Sequence, residues 1–346
     1  MSLSDDPWEL PSASAFLAEI EGAVATGGAL VTGGASMPPN LEDAIAKYFR
    51  DRNCIIERIE ASSDMQPAET LASAFTVTAE AGALANATHL ADHLAIVTPL
   101  DGNIKIADDW RVFLLRFLKV RAQQGEGLAV LFLAKASIPG IDGLPLLAWN
   151  GRLRRIDVTI WADLHAQIDR PEPLATLSAA LAVELCGWRL DLAAEIARAR
   201  REDILNPIGW LSRQVGLSFS ASCRLNGQEM ACPIALLKQG DTEEINHRIW
   251  RAELAALFPW IEERRQRVII RHRRLLRLDE HLRALNVRAI NEIEFGALSW
   301  QLHGQVTRAE QEMIDCLARL RNRLAHGKAV EPADLDRALR ESSSWE

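Results

Sequence analysis

Tyrosine is almost missing from this chain, with one in 346 residues, and paired cysteines are missing altogether. The five cysteines (Cys54, Cys186, Cys223, Cys232 and Cys316) are odd in number and form no C-x-x-C pair. A disulfide framework and a cysteine-rich zinc site are therefore not expected, and reduced, buried thiols are. No apolar run reaches the ~18 residues of a membrane span. The opening Met1-Ser-Leu-Ser-Asp-Asp is acidic and lacks the charged-then-apolar order of a signal peptide, so a cytoplasmic chain with no membrane contact is expected. Internal repeats, low-complexity linkers and a G-x-S-x-G nucleophile elbow are also missing. An excess of positive charge is lacking too: the net charge is -8. A non-specific nucleic-acid binder is normally basic overall, so any such contact must be local.

What is present is ordinary globular material, 48% hydrophobic and 25% charged, which excludes collagen-like and wholly disordered classes. The length, over twice the ~150 residues of one domain, implies two or three domains. Charge divides unevenly along it. Residues 1–150 hold 10 Lys/Arg and 19 Asp/Glu, and the remainder 29 and 28. The ten tryptophans fall mostly in the second part, where Trp188, Trp210, Trp250, Trp260 and Trp300 are expected as core or interface anchors.

Short apolar runs at Ala29–Gly33, Asn53–Ile59, His93–Thr98, Leu128–Ala134 and Arg155–Trp161 predict strands. Amphipathic stretches at Leu41–Asp51, Pro67–Ala87 and Asp108–Gln123 alternate with them, the order of βαβ units on a parallel sheet. Asn40 predicts a helix N-cap ahead of Glu42 and Asp43, and Asp108-Asp109 predicts another before Trp110. From about Arg170 the pattern turns helical. Two helices broken at Gly187, another at Asn206–Gly216 and a loop or short hairpin in Ser218–Gly240 are expected. Helices follow at His247–Phe258, Arg264–Leu285, Ala289–Leu302, Thr307–Ala325 and Pro332–Arg340. Thr307 with Glu310 reads as a capping box, and Gly327 as a stop. The fold class is α/β followed by all-α, with domains at 1–168, 169–242 and 243–346.

In a parallel α/β domain the first strand-to-helix turn is where backbone N–H groups usually hold phosphates. Here that turn reads Gly33-Gly34-Ala35-Ser36-Met37-Pro38-Pro39-Asn40. Laid on G-x-x-x-x-G-K-[ST], Gly33 fits the first glycine, while Pro38, Pro39 and Asn40 replace the second glycine, the lysine and the hydroxyl residue. The prolines delete two donors and fix φ, and no lysine is left to bridge the β- and γ-phosphates. The third strand ends Ile96-Val97-Thr98-Pro99-Leu100, and Asp101 follows too late to hold magnesium at its tip. The bland alternative is an α/β domain unrelated to NTPases. No cofactor is expected, the weaker alternative being a nucleotide kept by other residues as a structural ligand.

The strand–loop–helix order, the helical section after the fifth strand, and segments such as Leu181-Ala-Val-Glu-Leu-Cys-Gly-Trp-Arg-Leu resemble the STAND branch of AAA-type P-loop ATPases. Ile249-Trp-Arg-Ala-Glu-Leu-Ala-Ala-Leu-Phe-Pro-Trp-Ile-Glu-Glu-Arg does so too. The resemblance implies a signalling switch of the immunity and conflict type, in which inactive versions without Walker motifs occur in bacterial defence operons. It implies a regulatory, sensor or scaffold role with protein partners.

Near the C-terminus, Arg321-Asn322-Arg323-Leu324-Ala325-His326 resembles the R-[polar]-x3-H pattern of the HEPN superfamily, which includes metal-independent ribonucleases. The resemblance implies His326 as acid or base on a ribose 2′-OH, Arg321 stabilising the phosphate and Asn322 as the polar member. Five helical residues turn ~500°, so Arg321 and His326 diverge by ~140° and a two-fold dimer would be needed to bring copies together. The structural reading has Arg321 and Asn322 holding a helix end, with His326 as its terminal cation. RNA is a partner only under the catalytic reading; a homodimer through the C-terminal helices suits both.

Nine arginines between Arg264 and Arg288 suggest a solvated face, a track for RNA, or an acceptor for an acidic surface. His89 and His93 have helical zinc spacing but no third ligand nearby, and no metal is expected. Asp157, Asp163 and His165 make no recognisable triad with an activated serine.

Overall fold

The computed structural model describes residues 6–99, 104–134, 142–216 and 220–342. The chain divides into two compact units, one of residues 1–157 with 222–230, the other of 158–221 with 231–346.

The first unit begins with α1 (Pro11–Ala25), followed by β1 (Gly28–Thr32), α2 (Leu41–Arg50) and β2 (Ile55–Ala61). Then come α3 (Pro67–Phe75), α4 (Ala81–Ala85), β3 (His93–Pro99), α5 (Ile104–Gln124), β4 (Ala129–Ala134) and the short β5 (Leu146–Ala148). The five strands form one parallel sheet in the order β2-β3-β4-β1-β5. Every residue of β1 and β4 is buried, as strands covered on both faces require. On one face Trp110 and Phe113 of α5 pack over the sheet, Trp110 stacking on Phe132 with centroids 5.4 Å apart.

β1 enters the sheet through Gly28, at φ +130, where a Cβ would stand 1.9 Å from the Val130 carbonyl oxygen of β4. Only glycine permits that approach.

The predicted strand at Arg155–Trp161 is instead the start of a helix, α6 (Arg155–His165). Its β-branched alternation suggests a strand, yet Val158, Trp161, Ala162 and His165 are the buried positions, at helical spacing. Buried Asp157 fixes the helix start by accepting the Arg154 N–H at 2.7 Å, the Ser12 N–H at 2.9 Å and the Ser12 hydroxyl at 2.6 Å. The fifth strand is β5, three residues long, which no periodicity window detects. Asp108 and Asp109 are not caps either: α5 starts four residues earlier, and Asp108 pairs with Arg111 at 2.7 Å.

The second unit is mainly helical, with α7 (Leu174–Leu181), α8 (Leu190–Arg198), α9 (Arg201–Leu205) and α10 (Pro207–Ser212). A π-helical turn, Ala182–Cys186, extends α7 to the break at Gly187, whose φ is +58. The hairpin expected within Ser218–Gly240 forms from β6 (Ser222–Leu225) and β7 (Gln228–Ala231), and all of it but Ala231 belongs to the first unit. There follow α11 (Pro233–Gln239), α12 (Thr242–His272), α13 (Glu280–Ala284), α14 (Phe295–Leu302), α15 (Arg308–Ala325) and α16 (Pro332–Ser342).

α12 corrects two expectations. It runs unbroken through Pro259, and it ends at His272 rather than near Leu285. An interior proline costs ~3 kcal/mol. Leu257, Trp260 and Ile261 are buried on both sides of it, and that packing offsets the loss. The predicted helix Ala289–Leu302 is reduced to α14 with a single 3-10 turn before it. The capping box forms as expected: the Thr307 N–H donates to Glu310 at 3.1 Å and the Glu310 N–H to Thr307 at 3.3 Å. Among the described residues no helix is long and apolar enough to cross a membrane.

Candidate functional site

β1 lies between β4 and β5, and its chain leaves towards β2 while β4 leaves towards β5. Connections that leave adjacent parallel strands in opposite directions define a switch point, outside whose carboxyl ends ligands usually bind. A cavity of about 590 Å³ lies there, lined by Thr32, Gly33, Gly34 and Met37 after β1, Thr98 of β3, Leu133 and Ala134 of β4, and Asn150, Ser222 and Cys223.

The Gly33–Asn40 loop that shapes this cavity is held from behind. The buried Trp149 indole N–H donates to the Ser36 hydroxyl at 3.1 Å. The Trp8 indole N–H donates to the Pro39 carbonyl at 2.7 Å. Trp149 meets Trp8 and Phe16 edge-on, at 5.9 and 5.4 Å. Ser36 and Pro38 are buried. The Met37 N–H closes a turn on the Gly34 carbonyl at 2.9 Å, and the Met37 methyl covers Gly33 so closely that a Cβ there would lie 2.9 Å from it. The loop is thus held at several points, with the Met37 thioether lying over Gly33.

Asn40 stands at the N-cap of α2, but in the left-handed region and without a side-chain cap bond. This corrects the capping role expected of it. The first-turn acids Glu42 and Asp43 pair with Arg58 of β2 at 3.2 and 2.7 Å. An anion arriving at this helix end would meet two carboxylates. Among the described lining residues no side chain is charged, and Thr98 is the residue of β3 that reaches the cavity. Leu100 and Asp101 lie outside the described residues.

The second sequence motif sits at the end of α15. Arg321 pairs with Glu294 at 3.1 Å. Asn322 is exposed, and the exposed His326, the C-cap residue, has no side-chain partner among the described residues. The structure thus gives Arg321 a partner and does not bring His326 to the same carboxylate. The helix end is well anchored: the Trp250 indole N–H donates to the Leu324 carbonyl at 2.8 Å, and Arg323 reaches the Ala329 carbonyl at 2.8 Å and Glu331 at 2.9 Å. Buried Glu253 of α12 accepts the Val330 N–H at 2.8 Å. Burial pushes its carboxyl up to about 8, although that N–H and the Arg323 charge both favour ionisation.

Other candidates disperse. Nine arginines do not form one face: Arg264 lies over Trp260, and buried Arg265 donates to the Asn291 and Ile293 carbonyls at 2.9 and 2.8 Å. His93 is held by Asp92 at 2.7 Å, and no group of three or more metal-ligating side chains exists among the described residues. His165 Nδ1 lies 2.8 Å from the Trp161 carbonyl, while Asp157 is committed to Ser12 and Arg154, so no triad forms.

Sequence reasoning missed Trp8, Trp149, Ser36 and Glu253. The only signal for the first two was the surplus of tryptophan. In comparisons with known proteins, no family model matches the chain and no curated protein matches it.

Proposed function

We propose that the chain is a non-enzymatic regulatory, sensor or scaffold protein built on an inactive P-loop-NTPase-like α/β unit, followed by a HEPN-like helical region. The observation that carries this reading is the Gly33–Asn40 loop. It occupies the phosphate-binding position of a parallel sheet with prolines at 38 and 39, is pinned by two indole N–H bonds, and leads to a helix whose first turn is acidic. The β2-β3-β4-β1-β5 order, with the loop at the switch point, supports descent from a nucleotide-binding domain. An uncharged cavity there suits a neutral ligand or a docking surface better than a triphosphate.

The resemblance to STAND proteins supports a role in a bacterial conflict or antiphage-type system, acting through protein partners and without a cofactor. A metal-independent ribonuclease using Arg321, Asn322 and His326 is the second reading, favoured by the exposure of Asn322 and His326. The test is turnover. Purified chain is assayed for RNA cleavage beside His326→Ala and Arg321→Ala, and for ATP hydrolysis. No turnover in any arm is expected. RNA cleavage by the wild type that disappears in both variants would overturn the non-enzymatic reading.

A further inference from the structure

Trp188, Trp210 and Trp260 are buried, but Trp300 is 71% exposed. It is not isolated. With Leu282, Leu285, Val287 and Ala297 it lines a groove of about 610 Å³ at α13 and α14, and Leu285 is itself 62% exposed. Single exposed apolar residues are ordinary, whereas a walled, contiguous set marks an interaction site.

The charges around the groove are unevenly committed. Of its carboxylates, Asp279 caps α13 by accepting the Leu282 N–H at 2.8 Å, and Glu294 pairs with Arg321. Glu292 accepts the Arg288 N–H at 2.7 Å. The exposed arginine side chains at 273, 274, 277, 283 and 288 have no hydrogen-bond or ion-pair partner among the described residues. Three of them belong to the groove's own segments. Arg277 exchanges backbone bonds with the Gln301 amide at 2.9 Å each way, beside Trp300. Arg283 sits on α13 between Leu282 and Leu285, and Arg288 follows Val287. The ionisable side chains that line the trough itself are Asp279, His281 and Glu294, both carboxylates being engaged, and the free guanidinium groups stand on the same segments outside the lining. An aromatic–aliphatic trough so flanked is complementary to apolar anchors bordered by carboxylates.

We propose that this groove docks an acidic amphipathic helix of a partner protein, its apolar face against Trp300 and Leu285 and its carboxylates on Arg277, Arg283 and Arg288. Such a helix presents anchors at i, i+3, i+4 and i+7. Single-stranded RNA fits less well, because base stacking uses successive aromatic platforms. Here Trp300 and His281 are the rings in the lining, the remaining apolar side chains are aliphatic, and two carboxylates line the groove. The inference deepens the reading of the chain as a protein-binding regulator and rests on it.

The test is fluorescence anisotropy on the full chain. The probe is a labelled peptide of about 16 residues, with Leu and Phe anchors at that helical spacing and Glu elsewhere. A scrambled peptide of the same composition and an oligouridylate of about 12 nucleotides run in parallel. Saturable, salt-sensitive binding of the amphipathic peptide is expected, weakened about tenfold by Trp300→Ala and by the double variant Arg283→Glu/Arg288→Glu. All three positions are exposed, so folding is not at issue. Overturning results are no saturable binding up to about 1 mM, equal binding to the variants or the scrambled peptide, or preference for oligouridylate. Self-association abolished by Trp300→Ala would also overturn it, by assigning the groove to a second copy. ATP hydrolysis by the same preparation would overturn the proposed function while leaving the peptide result standing.

Discussion

Glu253→Gln is the most quantitative perturbation of the helix end that carries the Arg321–His326 motif. Glu253 is buried at α12 with its carboxyl raised from 4.5 to about 8. Below pH 4.5 it is protonated in both the folded and unfolded chain, and its contribution to stability is then fully present. As pH rises from there towards 8 the unfolded chain releases the proton while the folded chain keeps it, so stability falls. At 1.36 kcal/mol per pH unit, the loss from pH 5 to pH 8 is about 4 kcal/mol, and above pH 8 it levels off. Glutamine fills the same volume, can accept the Val330 N–H, and does not titrate. Guanidinium unfolding of both proteins at intervals from pH 5 to pH 8 reads the difference. The wild type should lose stability relative to the variant by about 4 kcal/mol across that span. Parallel profiles would refute the reasoning, because they would mean that Glu253 is ionised when folded and held by Arg323 as an ion pair.

Gly28→Ala should abolish the β1–β4 register, costing more than about 3 kcal/mol, since its Cβ would fall on backbone rather than a movable side chain; expression and thermal melting read this. Ser36→Ala leaves the buried Trp149 N–H without its acceptor and should cost about 1–3 kcal/mol in denaturant unfolding. Trp8→Phe removes the donor to Pro39 together with part of a buried ring that meets Trp149, for about 2 kcal/mol, and should increase amide exchange in residues 34–40. Asp157→Ala strips acceptors from three donors, two from Ser12 and one from Arg154, and should destabilise by about 3 kcal/mol or more.

Much of the sheet is legible because its central strands are buried on both faces, so that Leu128–Ala134 reads as an unbroken apolar run and Ala29–Gly33 as a short apolar one. Leu146–Ala148 is not, since three residues carry no period. Arg155–Trp161 misled because valine and isoleucine favour strands, while the decisive contacts of Asp157 come from Ser12, 145 residues away. The two prolines of the loop after β1 are a local signal, legible in the sequence itself. Their anchors are not, because Trp8 lies 31 residues from Pro39 and Trp149 lies 113 from Ser36. The arginine stretch reads as one basic helix over Arg264–Leu285, but its first part belongs to α12 and its last to α13. With α12 ending at His272, Arg264 and Arg265 are buried on it, while Arg277 and Arg283 lie beyond its end and are exposed.

The central claim is that the α/β unit has kept a nucleotide-binding architecture and lost the chemistry that holds phosphate. Isothermal titration of the full chain with magnesium-ATP and with ADP, to about 2 mM, tests it most directly. The account predicts no saturable heat with either nucleotide, and the same result for Met37→Ala, which uncovers Gly33 without supplying a cation. Stoichiometric ATP binding that Met37→Ala strengthens would contradict it, because the cavity behind that thioether would then still be a phosphate site.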